Sequence, residues 1–97
     1  ELFSVQAINL FAFRMKQQNK KETAIELLKL GVEAYPQSVA AMNNLGNTYQ
    51  EFGQKESALE CFEKAIVLIA ADPTIGENEK APLRNNIQQK IDALKKT

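Results

Sequence analysis

Five glutamates are the residues of this sequence most readily read as acid–base groups. Glu22 and Glu26 form one pair and Glu56, Glu60 and Glu63 a second group, so carboxylates recur at three- or four-residue steps that share a helix face. Carboxylates paired in that way can divide the work of general acid and general base. Lysines are interleaved among them, however, and Glu60 precedes Lys64 by four residues, the favourable order for a helical ion pair. A solvated helix face is the better reading. Cys61, in the strongly helical run "ALECFEKA", reads as a small packing residue rather than a reactive thiol. With no histidine and one cysteine, the chain cannot build a Cys/His zinc site, a Ser-His or Cys-His nucleophile pair, or an internal disulfide. No catalytic residue, metal ligand or cofactor is assigned, and the chain is expected not to be an enzyme. What remains is amide chemistry: Asn43, Asn44 and Asn47 in "NNLGNTYQEFGQ" each carry a donor and an acceptor, so a row of them can engage an extended peptide backbone.

Those groups need elements to hold them, and the periodicity is helical throughout. Val5, Ile8, Phe11, Ala12 and Met15 recur at three- and four-residue steps after Ser4, a candidate N-cap, and Asn19 marks the end of this first helix. Ala24, Ile25, Leu28, Gly31 and Val32 continue from about Lys21 until Pro36, which has no N–H to donate. Ser38 caps a third helix that runs to Phe52, with Gly53 placed as the left-handed residue beyond a helix end. A fourth carries Ala58, Leu59, Phe62, Ala65, Ile66 and Ile69 as far as Asp72-Pro73. A fifth, at about 78–96, aligns Leu83, Ile87, Ile91 and Leu94 in one stripe, with Pro82 expected in its opening turn. Its opposite side, Asn85, Gln88, Gln89, Asp92 and Lys96, is polar.

Sliding the sequence over itself by 34 residues sets Val5 on Val39, Ile8 on Met42, Asn9 on Asn43, Phe11 on Leu45, Ala12 on Gly46 and Met15 on Tyr49. The run "KETAIE" then falls on "KESALE". A helix-turn-helix unit at that period resembles the tetratricopeptide repeat. In the second copy Leu45, Gly46, Tyr49, Ala58, Phe62 and Ala65 occupy the family's signature positions; the first copy is looser, keeping Ala24 and Pro36. The resemblance implies an all-α, right-handed α-α superhelix in a single domain, with repeats at about 5–38 and 39–72 and a capping helix at about 78–96. Small residues Ala12, Gly46, Ala24 and Ala58 then allow close helix crossing, with Phe11, Leu45, Tyr49 and Phe62 filling the space around them. Gly46→Leu is expected to overpack, and Asn47→Ala to be neutral or stabilising. Ala70 stands where the register expects a proline and Pro73 comes three residues later, so the fourth helix is expected to be longer than the second.

Family geometry would place Gln6, Asn9, Leu10, Phe13 and Lys16, with Ala40, Asn43, Asn44, Asn47 and Gln50, on a concave groove. Asn9, Leu10, Phe13, Asn43, Asn44, Asn47 and Gln50 are the candidate contacts to a protein or peptide partner. Some members clamp a terminal carboxylate with lysines and asparagines; only Asn44 matches that set, and Lys80 and Arg84 could only approximate its last basic pair. Leu10 and Phe13, with Leu2 and Phe3, form an apolar patch for a partner chain, a second copy (a homodimer) or an upstream domain. The run from 24 to 66 also resembles short repeat-bearing tails that follow catalytic domains in bacterial serine hydrolases of the penicillin-binding or esterase type. That likeness implies an accessory or dimerisation tail whose active site lies outside the chain, and Glu1 in place of Met is read as a piece of a longer protein.

Twelve basic against twelve acidic residues give no net field towards nucleic acid or an anionic membrane. Lys90, Lys95 and Lys96 are read as complementing a helix C-terminus rather than as a nucleic-acid or membrane contact. The longest apolar run, 65–71, is far short of the roughly 20 residues that span a bilayer. The expectation is a soluble domain of the cytoplasm or bacterial periplasm.

Overall fold

A computed structural model of the chain describes residues 4–96. Five helices follow one another: α1 (Val5–Gln17), α2 (Lys21–Ala34), α3 (Val39–Glu51), α4 (Lys55–Ala71) and α5 (Glu77–Lys95). The described residues contain no strand, so the architecture is all-α as the periodicity implies. Leu2 and Phe3, half of the expected apolar patch, lie outside the described residues.

The helix ends are set by short-range chemistry that repeats with the sequence. Ser4 Oγ accepts from the Ala7 N–H at 3.1 Å, and Ser38 Oγ accepts from the Ala41 N–H at 3.1 Å. Past the ends of α1 and α3 the chain turns through left-handed residues, Asn19 at φ 61° and Gly53 at φ 76°. The next N–H then folds back: Lys20 donates to the Met15 carbonyl at 2.8 Å and Gln54 to the Tyr49 carbonyl at 2.9 Å. α2 stops two residues before Pro36. α4, at 17 residues against 14 for α2, runs on until Asp72 and Pro73, longer by most of a turn as expected. α5 opens at Gly76, whose N–H donates to Glu79 Oε1 at 3.3 Å. Pro82 departs from expectation. It is the sixth residue of α5, not part of the opening turn, and leaves the Asn78 carbonyl without its usual intrahelical donor.

α1 pairs with α2 and α3 with α4 as antiparallel hairpins; α2 and, more lightly, α1 lie against α3, and α5 lies against α4. The principal extents are 38 × 38 × 17 Å, and the short one fits two layers of helices about 10 Å in diameter. The core runs through both hairpins: Ala12, Ala24, Leu28, Leu45, Ala58, Phe62, Ala65 and Ile69 are buried, and α5 adds Ile87, Ile91 and Leu94. Gly46 marks the tightest crossing. A Cβ there would lie 2.6 Å from Phe62 Cε1 and 3.1 Å from Cys61 Cβ, closer than atoms pack. Two expected core residues are exposed. Phe11 is 45% exposed, because no helix among the described residues covers the α1 edge that corresponds to Leu45 of α3, and Leu83 is 43% exposed, because the buried stripe of α5 begins only at Ile87.

Candidate functional site

α3 stands between two clefts. On one side Asn9, Ala12, Phe13 and Lys16 of α1 face Asn44, Asn47, Thr48 and Glu51 of α3 over Leu28, enclosing about 230 Å³. The register of the two helices explains the pairing: residues at 9, 13 and 16 share one side of α1. At the end nearest the interhelical turns the cleft is closed by Lys16 Nζ, which donates to Glu51 Oε1 at 3.3 Å and Oε2 at 3.5 Å. On the other side Val39, Ala40 and Asn43 of α3 face Leu83, Asn86 and Ile87 of α5 around about 370 Å³. The first cleft is rich in amides and charges, and the second is largely apolar.

Between the clefts sits a contact that reading the sequence did not anticipate. Lys90 of α5 donates to Asn43 Oδ1 at 3.2 Å and to Asn47 Oδ1 at 3.1 Å, while its Nζ lies 5.5 Å from the centre of the Phe62 ring. Lys90 therefore serves the crest of α3, not the α5 C-terminus. Burial depresses its pKa, since partial desolvation disfavours the charged form and its acceptors are neutral. Asn47 accordingly has a structural partner. Its replacement by alanine removes a charge-assisted hydrogen bond, which replaces the expectation of a neutral or stabilising effect.

Of the sequence-derived candidates, Asn9, Phe13, Asn44 and Asn47 line the same cleft. Asn43 is turned to the apolar cleft on the other side of α3. Leu10 is 51% exposed and lines neither, and Gln50 is also exposed outside them. Sequence reasoning missed Thr48 and Glu51 as lining residues; Glu51 was visible as the acidic residue beside Gln50, but its partner Lys16 is 35 residues away. Lys80, one of the two residues that could only approximate the clamp's basic pair, donates to the Ala70 carbonyl at 2.9 Å and to Glu77 Oε1 at 3.4 Å.

The acid–base candidates do not assemble. Among the described residues no group of three or more His, Cys, Asp or Glu is placed to hold a metal ion. Glu26 reaches Lys29 at 3.7 Å on an exposed helix face. Cys61 is buried, and burial pushes its thiol up to about 11, so it is neutral and packed rather than nucleophilic. The sign of the linkage is fixed. In the unfolded chain the thiol ionises near 9.0, below its folded value, so stability falls as pH rises from about 9 to about 11. Cys61→Ser should flatten that part of a stability–pH profile measured by urea unfolding; an unchanged slope would contradict the assignment. No helix among the described residues is long and apolar enough to cross a membrane.

Residues 39–69, spanning α3 and most of α4, match the family model of the tetratricopeptide repeat, about a third of the chain. No curated protein matches the chain. The match falls on the hairpin that carries Leu45, Gly46, Tyr49, Ala58, Phe62 and Ala65, all of them buried. Repeats of this family build protein–protein interaction modules, which bind protein or peptide partners. The tetratricopeptide repeat is thus matched by the second hairpin, residues 39–69.

Proposed function

We propose that the chain binds a linear peptide segment of a partner protein across α3, with the hairpins at 5–38 and 39–72 acting as two repeats of one domain and the helix at 78–96 closing it. The observation that carries the reading is the amide-lined cleft between α1 and α3, with a separate apolar cleft against α5 on the other side of the α3 crest. Asn44 and Asn9 offer hydrogen bonds that a peptide backbone can satisfy in extended form. Phe13, 52% exposed on the cleft wall, gives an apolar ligand side chain a surface to cover, and Leu83 with Val39 gives a second. The ligand that fits is an extended segment of mixed polarity, with at least one apolar side chain set against α5.

The test uses an array of short linear peptides followed by titration of those retained. Asn44→Ala and Phe13→Ser are each expected to weaken a retained peptide about tenfold, roughly 1.4 kcal/mol. Both side chains are incompletely buried, so the fold should persist. If no peptide is retained, or if both variants bind like the parent, the reading fails.

A further inference from the structure

Laying the hairpins on one another at the 34-residue register isolates a face whose counterpart is already occupied. In the second hairpin Met42, Leu45, Tyr49, Cys61 and Lys64 line the edge that receives Lys29 and Val32 of α2, and the first four are buried. The matching residues of the first hairpin are Ile8, Phe11, Met15, Leu27 and Leu30. Phe11 and Leu30 are 45% and 57% exposed, and the other three are half-buried. The opposite end of the stack is built differently: α5 covers α4 and presents Asn85, Gln88, Gln89 and Asp92 to solvent. An end of a repeat stack that faces water carries such a polar surface. The α1/α2 edge does the reverse, with Leu30 where the second hairpin has a lysine.

We propose that this edge is a homodimer interface, in which a second copy of the chain packs its own α1/α2 edge against it about a two-fold axis parallel to the helices. Head-to-tail stacking would set the apolar edge against the polar face of α5, whereas a two-fold pair needs only the edge itself. Such an axis lays α1 of one copy antiparallel on α2 of the other. By helical register Arg14 on α1 and Glu26 on α2 border the apolar strip, three residues from the end of α1 and five from the start of α2, so both lie within about one and a half turns of the connection. Arg14 of each copy therefore comes opposite Glu26 of the other, and the two rims are complementary in charge. Within one copy, among the described residues, Glu26 has only the exposed, 3.7 Å approach of Lys29 to give up.

Sedimentation velocity of the 97-residue chain over rising concentration tests the inference. A monomer–dimer equilibrium is expected, abolished by Phe11→Asp and by Leu30→Asp, with the helical circular dichroism of each variant retained. Arg14→Glu should weaken the dimer about tenfold, and adding Glu26→Arg should restore it. Phe13→Ser, on the peptide cleft, should leave the dimer intact, which separates this inference from the binding role proposed above. A parent chain that stays monomeric, or a dimer indifferent to both aspartate substitutions, overturns it. So does a dimer lost in Phe13→Ser but kept in Phe11→Asp.

Discussion

Gly46→Leu is expected to destabilise the protein by more than about 3 kcal/mol, the upper end of ordinary overpacking costs, measured by urea unfolding. A single added methyl already collides with the Phe62 ring at 2.6 Å, and that ring is fully buried and has no room to retreat. Gly46→Ala should therefore destabilise too, by about 1–2 kcal/mol, even though alanine in place of glycine gains about 1 kcal/mol of helix propensity. Gly31→Ala is the control. Its Cβ would meet the Ile8 side chain, with Cγ2 nearest at 3.3 Å and Cδ1 at 3.7 Å, and a shift of a few tenths of an ångström in that side chain relieves it. Near-neutral stability for Gly31→Ala with a clear loss for Gly46→Ala is the expected pair. Equal effects at the two sites would mean that propensity, not the helix crossing, governs Gly46. A double variant, Gly46→Ala with Phe62→Leu, should cost less than the sum of its parts, since the smaller side chain vacates the colliding volume.

Ile91→Asp should release α5 from the rest of the protein. Three buried side chains, Ile87, Ile91 and Leu94, carry the apolar contact of this helix, and Ile91 is the most deeply buried of them. An aspartate at that site would lose about 1.5–3 kcal/mol of apolar burial and add the cost of desolvating a carboxylate. A helix of 19 residues with a proline at its sixth position and a mostly polar surface is not stable alone in water, so undocking is expected to melt it. Hydrogen exchange should then show loss of protection in 77–95 with α1 to α4 largely retained, because the buried contacts of the first hairpin do not involve α5. Unchanged protection in 77–95 would refute this account of how α5 is held.

The five helices were legible in the sequence because their boundaries are local. Ser4 and Ser38 as caps, Gly53 as a left-handed stop, Pro36 and Pro73 as terminators and the shift of Pro73 by three residues all act within a few positions of themselves. Gly46 was also legible, since the repeat register set it opposite bulky side chains. The errors share a different origin. Phe11 has the helical position of Leu45, but Leu45 is buried against the neighbouring hairpin, and no described residue covers Phe11 in the same way. Leu83 continues the spacing of Ile87 and Ile91 yet lies beyond the reach of α4. The bonds from Lys90 to Asn43 and Asn47 join residues 47 and 43 positions apart, a relation that no periodicity encodes. Of the seven candidate binding residues, four converge on one cleft because they follow the register of α1 and α3, while Asn43 lines the other cleft and Leu10 and Gln50 line neither.

The additional three residues of α4 have a consequence for how such a chain can grow. α1 to α3 and α2 to α4 each advance by 34 residues, but α5 begins 38 residues after α3, so the last step is out of phase with the earlier one. Three further helical residues move the chain about 4.5 Å along the helix axis and turn it by most of a revolution before α5 starts. A copy of 5–38 inserted after Gln37-Ser38 would keep the period and lengthen the array, whereas a copy added after α5 would meet a surface in the wrong phase. The 34-residue spacing therefore holds across the hairpin junction and is broken by the length of α4, which sets the phase of whatever packs beyond it.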